Sequence, residues 1–414
     1  MKPTILVFTR YYLPGYLAGG PIRTIANMVA RLGSAFNFKI VAQDRDFGAQ
    51  SPYRDVRPDA WIPVQQALVR YVPPARTDMI KMAEIIRSTP HDAIYLNSFF
   101  DFRFTQQVLI NRKLGRLPNR PIILAPRGEF SEGALQFKSL KKMAYIGLAK
   151  RAGLYSGLTW QASSSLEAAD IERTMAVLGG NPREGTGVVG HIAVAPDLAD
   201  VDGGDGAACR SGAAQRKRPG LPLRVCFLSR ISPKKNLDYA LRVLADVRVP
   251  VCFSIYGPIE DEAYWATCSA LIDELPANIQ VIQIGAVSPC QIMPTLQEHD
   301  LFLFPTHGEN FGHVIHEALR AGLPLLISDQ TPWQKLEDKG VGWALSLAEP
   351  REFVSRLEEV AAWSEDQHHA ASQRAKRFAA NVSQDPDTLD SNRRLFFDAI
   401  LGADPSPNHS ERSR

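Results

Sequence analysis

The chain has 414 residues, 45% hydrophobic and 22% charged, with a formal net charge of +3. That balance fits a globular protein of one to three domains and excludes a disordered or disulfide-stapled chain. No apolar run reaches the roughly eighteen residues a membrane-spanning helix needs, and residues 1–12 hold too short an apolar run for a signal peptide.

Residues 4–9 form an apolar, β-prone run that predicts a central strand. The loop Y-Y-L-P-G-Y-L-A-G-G-P follows, and Ile22, Ile25, Met28, Val29 and Leu32 then recur at helical spacing. The G-x-G-x-x-G fingerprint is absent, which disfavours a dinucleotide oxidoreductase, yet Gly19 and Gly20 let backbone approach a ligand. Residues 38–42 read as a second strand, followed by Asp44-Arg45-Asp46. Two carboxylates at that spacing fit either a solvated loop or a divalent metal beside a diphosphate. Residues 61–75, aromatic and proline-rich, match no element pattern.

A helix is expected over 79–87, a strand over 93–96 leading into Asn97-Ser98-Phe99-Phe100, a helix over 104–114 and a strand over 121–125. Alternating strands and helices predict a parallel sheet, whose ligands bind beyond the carboxyl ends of its strands. Arg127 and Glu129, in A-P-R-G-E-F-S-E-G-A-L, stand at such an end; they read as a surface ion pair or as a phosphate or acceptor contact. Residues 135–154 carry Lys138, Lys141, Lys142, Lys150 and Arg151 among apolar residues. That pattern fits a solvated helix face or a basic helix on an anionic bilayer. A strand over 159–162 and a helix over 164–178 complete the first half, with Glu167 in the helix's first turn.

Residues 199–220 are Gly/Ala-rich and nearly free of large apolar side chains, so they read as a flexible linker. The charge divides here: 25 Lys and Arg against 15 Asp and Glu in residues 1–198, but 22 against 29 in the rest. A basic front half points to an anionic partner, while zinc-finger spacing and an aromatic-basic interleave for nucleic acid are absent. The five cysteines (Cys209, Cys226, Cys252, Cys268 and Cys290) form no C-x-x-C pair and read as buried thiols in a reducing compartment.

A second alternation starts at residue 223. The strand 224–228 runs through S-R-I-S-P-K-K-N into a helix over 237–246, so Arg230 and Lys235 stand beside helix-start amides as an anion site. Asn236 or Asp238 is the expected cap. The strand 251–256 ends in Gly257-Pro258, and the strand 279–284 ends in Gly285, each followed by a helix, over 265–275 and 292–297. Residues 301–304 are an apolar strand stopped by Pro305. A polar loop with His307 and Glu309 follows, then a helical pattern over 311–320 with His313 and Glu317. Helix-start amides suit a phosphate and flanking carboxylates suit sugar hydroxyls, so this stretch fits a sugar nucleotide. Strands over 325–328 and 343–347, helices over 353–363, 370–380 and 391–401, and a polar tail over 403–414 end the chain.

In this order, R-I-S-P-K-K-N, Y-G-P, I-G-A-V and the two-glutamate stretch, with the Gly-Gly loop and A-P-R-G-E-F-S-E-G-A-L before them, resemble the retaining GT-B glycosyltransferases of family 4. That group builds bacterial exopolysaccharides and lipid-linked glycans. The resemblance implies two doubly wound Rossmann-like α/β domains facing across a cleft. It expects an acceptor-side domain over 1–198, joined by the helix 388–402, and a nucleotide-sugar domain over 221–385. It gives Arg230 and Lys235 to the donor diphosphate, Glu317 to the ribose, and Glu309 to the donor sugar. The amides of Asn310, Phe311 and Gly312 would lie near sugar and phosphate, Gly19 and Gly20 near the diphosphate, and Gly257 with the Gly285–Val287 segment along the base. It implies a hexosyltransferase-type enzyme (EC 2.4), metal-independent and without cofactor, cytoplasmic or peripheral on the inner face of the membrane. Many relatives carry a histidine after the fourth strand, where this chain has Asn97-Ser98-Phe99, so Asn97, Arg127 and Glu129 become the acceptor-side candidates. A GT-B sugar-nucleotide epimerase and a non-catalytic sugar-nucleotide-binding protein are the alternatives.

Overall fold

The structure is a computed structural model that describes residues 1–131, 139–176, 190–200 and 221–402. Most of the expected linker, the tail from 403, Lys138 and Cys209 lie outside these residues. The chain divides into two compact units, one of Met1–Leu198 with Pro386–Arg414 and one of Ala199–Asp385.

The first unit is built on an eight-stranded sheet of order β3-β4-β2-β1-β5-β6-β7-β8. Its strands are β1 (Thr4–Phe8), β2 (Asn37–Gln43), β3 (Trp61–Val64), β4 (Ala67–Val72), β5 (Ala93–Asn97), β6 (Ile122–Ala125), β7 (Thr159–Ala162) and β8 (Ile192–Val194). The helices α1 (Gly20–Leu32), α2 (Met79–Ser88), α3 (Gln107–Lys113), α4 (Ser139–Arg151) and α5 (Ser165–Ala176) connect them. Successive β1 residues serve two cores. Leu6 and Phe8 pack with Met82, Ile85, Val108 and Ile171, whereas Ile5 and Val7 pack with Ile25, Val29, Leu395 and Phe396. A strand covered on both faces must be apolar at every position, which is why β1 reads as an unbroken apolar run.

Two pieces of this sheet depart from the sequence reading. Residues 61–72 form the antiparallel pair β3 and β4, turning at Gln65 with φ 51°. Pro63 removes a ladder donor, which β3 tolerates as the edge strand. After β5 the chain takes a π turn over Phe102–Gln106 before α3, and the Asp101 carboxylate accepts from the Phe104 amide at 2.8 Å.

The second unit holds six parallel strands in the order β11-β10-β9-β12-β13-β14. These are β9 (Leu223–Leu228), β10 (Val251–Tyr256), β11 (Ile279–Gly285), β12 (Leu301–Phe304), β13 (Leu325–Ser328) and β14 (Gly342–Leu345). Around them lie α6 (Leu237–Ala245), α7 (Glu262–Asp273), α8 (Pro289–Gln297), α9 (His313–Ala321), α10 (Pro350–Ala362) and α11 (Glu365–Ser383). The last helix, α12 (Pro386–Gly402), belongs to the first unit. Strand order reverses between β9 and β12 here and between β1 and β5 in the first unit. Such switch points open a crevice beyond the strands' carboxyl ends, where open α/β sheets bind ligands.

Candidate functional site

The loops after β9 and β12 meet at the second unit's switch point and are stitched together. The Asn236 side-chain amide donates to the Pro305 carbonyl at 2.8 Å, the His307 amide donates to the Lys234 carbonyl at 2.9 Å, and the Thr306 hydroxyl donates to the same carbonyl at 3.1 Å. Asn236 sits at φ 59°, a left-handed conformation asparagine tolerates, and its side chain does not cap α6. Neither does that of Asp238, which accepts from the Tyr264 hydroxyl and pairs with Arg242. The expected cap is therefore spent on holding two loops in register.

Across this seam the Lys235 ammonium pairs with the Glu309 carboxylate, each side chain 13% exposed. Arg230 donates to Glu260 at 2.8 Å, and Lys234 completes a group of three cations around Glu309. Burial alone would raise Glu309, but Lys235, Lys234 and Arg230 outweigh it and hold the carboxyl below its ordinary value. Burial, Lys234 and Arg230 in turn depress Lys235 against the pull of Glu309. The cations lower Glu309, while Lys235 is lowered first by its burial and then by Lys234 and Arg230, crowding that an anionic ligand would relieve. An ionised Glu309 can only accept hydrogen bonds.

Glu309 is aligned by its own amide, which donates to the Gln330 carbonyl at 3.2 Å. Gly312 precedes α9 at φ 77°, and a Cβ there would come within 2.8 Å of Ile315 Cδ1, so the helix begins without a capping side chain. First-turn amides of such a helix lack intrahelical acceptors. Asn310, Phe311, His313 and Glu317 are half-buried around this start, while His307 is exposed. The Phe311 ring packs on Trp333 at 5.4 Å, and the Trp333 indole donates to the Phe311 carbonyl. Gly257, at φ 135°, donates its amide to the Gly285 carbonyl at 2.7 Å; a Cβ on Gly257 would lie 1.8 Å from the Ser229 carbonyl oxygen. Gly257 and Gly285 thus tie the ends of β9, β10 and β11 together, with Val287 half-buried just beyond.

In the first unit, Gly19 at φ 68° and Gly20 open α1, and Asp46 accepts from the Tyr16 and Leu17 amides at 2.8 and 3.2 Å. Asp44 is buried against Arg45 at 2.8 Å. Asp46 therefore orders the Gly-Gly loop, while Asp44 is buried on Arg45. Among the described residues no three His, Cys, Asp or Glu side chains come together as a metal site.

Arg127 and Glu129 do not pair with each other. Arg127 pairs with buried Asp197, donates to the Tyr95 hydroxyl, and donates to Asn97 Oδ1 at 2.8 Å. Asn97 in turn donates to the Thr9 hydroxyl at 3.3 Å, across the β1/β5 switch point. Glu129 accepts from the Ser98 hydroxyl at 2.7 Å and the Phe99 and Phe100 amides at 2.5 and 3.0 Å. Burial nonetheless raises its pKa. Ser98 itself stands at φ 107°. Glu167, also raised by burial, accepts from the Gly128 and Ser163 amides and so joins the loops after β6 and β7. Of the basic stretch over 135–154, Lys150 is buried and donates to the Met175 carbonyl, and Lys142 lies 5.1 Å over the Phe100 ring. Lys150 thus faces the interior, not a bilayer.

Lys234, Thr306 and the Asp197–Tyr95 support of Arg127 are absent from the sequence reading. The doubled lysine of S-P-K-K-N is the one local signal for Lys234. Tyr95 and Asp197 lie 32 and 70 residues from Arg127, so no local pattern could join them.

Comparison with known proteins extends this geometry. Residues 213–378 match the family Glycosyl transferases group 1. No curated protein matches the chain. Among solved structures, Anabaena HepE in complex with UDP and glucose is 15% identical with a TM-score of 0.63, covering 96% of this chain and 99% of its own. Sucrose-phosphate synthase from Thermosynechococcus elongatus is 13% identical at TM-score 0.67, covering 97% and 100%. WaaG, a glycosyltransferase involved in lipopolysaccharide biosynthesis, is 12% identical at TM-score 0.62, covering 96% and 99%. The chain has the GT-B fold, and the stretch similar to glycosyl transferases group 1, residues 213–378, coincides largely with its second unit.

Proposed function

We propose that the protein is a retaining glycosyltransferase of the EC 2.4 class, a hexosyltransferase of the family 4 type. It transfers a sugar from a UDP- or GDP-sugar to a glycan or lipid-linked acceptor in bacterial surface polysaccharide synthesis. The observation that carries this reading is one carboxylate, Glu309, among Arg230, Lys234 and Lys235 at the switch point of the second unit. The diphosphate pairs with these cations, and Glu309 accepts from hydroxyls of the donor sugar. Glu317 accepts from the ribose, and the amides of Asn310, Phe311 and Gly312 lie along sugar and phosphate. Gly257 and the Gly285–Val287 segment line the base, and Gly19 and Gly20 approach the diphosphate.

In the reaction the bond from the anomeric carbon to the phosphate oxygen breaks, and its electron pair stays on the diphosphate. Arg230 and Lys235 stabilise that charge as it develops. The acceptor hydroxyl attacks the same face of the sugar, and its proton passes to the leaving phosphate oxygen. No histidine stands after β5, and Asn97, Arg127 and Glu129 hold the acceptor side in shape.

Screening UDP- and GDP-sugars for thermal stabilisation tests donor binding, since a ligand stabilises according to its affinity. Lys235→Ala and Glu309→Ala are each expected to lower transfer at least about a hundredfold in a folded protein. Near-normal rates in both would overturn the site. Activity is expected to persist in a chelator; strict magnesium dependence would contradict the metal-free reading. The protein acts from the cytoplasmic face of the membrane. Peripheral binding through α4 is favoured by exposed Leu148 beside Arg151. Co-sedimentation with anionic vesicles, unchanged on neutralising Lys138, Lys141 and Lys142, would count against that docking.

A further inference from the structure

At the amino ends of β6, β7 and β8 lies a cavity of about 640 Å³. Asn97 and Arg127 stand at the opposite, carboxyl edge of the same sheet. Ile122, Thr159 and His191 form its sheet side, and Leu395 and Ala399 of α12 form its other wall. Three guanidinium groups line it, from Arg112, Arg120 and Arg394, against a single carboxylate, Asp398.

The three arginines come from separate elements: the end of α3, the approach to β6, and α12. Arg112 is half-buried and fixed, donating to the Ser156 carbonyl at 2.9 Å and the Gly157 carbonyl at 3.5 Å. Burial depresses its pKa. Arg120 and Arg394 are exposed, and among the described residues none of the three arginines makes an ion pair. A desolvated guanidinium answered only by neutral carbonyls lacks a counter-charge. The volume falls within the roughly 300–1,000 Å³ range of small-molecule sites. Planar guanidinium forks match the oxygens of a phosphate group.

We propose that this cavity binds a phosphate-bearing ligand, with Arg112, Arg120 and Arg394 holding the phosphate and the apolar wall of α12 covering the rest. Ligand there would tie α12 to the starts of β6 and β8. The site is independent of the donor site and of the function proposed above.

Calorimetric titration of the full chain with inorganic phosphate and with glycerol 3-phosphate tests this. The Arg120→Ala/Arg394→Ala double variant, altered at exposed positions, is expected to weaken binding by about tenfold or more. Lys235→Ala should leave that binding unchanged. Absence of binding to either phosphate compound and to vesicles alike would overturn the proposal. Binding lost in Lys235→Ala but kept in the arginine variant would do the same. Vesicles containing phosphatidic acid distinguish the source. Arginine-dependent binding to vesicles alone identifies a lipid headgroup, and binding to free glycerol 3-phosphate identifies a soluble ligand; both uphold phosphate recognition.

Discussion

Lys235, Lys234 and the Glu260-paired Arg230 surround Glu309, and that crowding makes pH a probe of the site. Glu309 is ionised above its ordinary range, so its pairing with Lys235 is fully present there and is lost as pH falls through the depressed folded value. Donor affinity should therefore hold from pH 8 down to about pH 5 as far as Glu309 is concerned, which donor titrations across that range would check. His316 behaves differently. Burial pushes it down to about 4, where its ring contacts the Ala379 carbonyl at 3.2 Å and the Ser383 hydroxyl at 3.0 Å. The unfolded chain protonates it near pH 6.5, so its contribution is complete above that value and is lost as pH falls towards 4. The loss is at most about 3 kcal/mol, and urea unfolding of His316→Gln should show a flatter dependence between pH 6.5 and 4. In the first unit, Arg127→Ala removes the cation paired with buried Asp197, which still accepts from the Thr24 hydroxyl at 3.1 Å, with an expected cost of about 3 kcal/mol by denaturant unfolding. At this scale legibility follows chain distance. Lys235 and Glu309 each announce themselves at a strand-to-helix turn, whereas their contact spans 74 residues and had to await the fold.

Elements were most legible where one period ruled. β1 and β12 read directly because burial on both faces leaves the apolar runs Ile5–Phe8 and Leu301–Phe304, and β9 reads as a strand although Arg224 stands within it, paired with Asp300. The β3–β4 hairpin did not, since Pro63 and the turn at Gln65 mimic a loop. α11 begins ahead of its apolar stripe, because Ser364 caps it through a side-chain box with Gln367. Ser364→Ala should cost about 1 kcal/mol in thermal or urea unfolding. Gly257 carries more. With φ 135° and a carbonyl where a Cβ would stand, Gly257→Ala must part the ends of β9 and β10. A loss of about 2–4 kcal/mol is expected, together with weaker donor affinity, because the same loops carry Arg230.

At the scale of the whole chain, the alternation of strands and helices and the change of composition after residue 198 were both legible, and each half forms its own doubly wound sheet. The buried bonds that close the first unit were not. Asn392 in α12 donates to the Pro196 carbonyl at 2.7 Å, a contact 196 residues apart. Leu395 and Phe396 fill the core beside Ile5 and Val7. The first unit is thus written in two instalments, with the second unit nested between them. On a ribosome, Met1–Leu198 emerges long before the helix that completes it. The nascent amino-terminal half must wait with one sheet face covered by α1 but lacking Leu395 and Phe396 while the entire second unit is synthesised. Release after residue 385 is expected to leave a chain whose amino-terminal half is rapidly proteolysed and whose Ala199–Asp385 part resists. Supplying the missing helix as a separate peptide should restore protection only to the amino-terminal half.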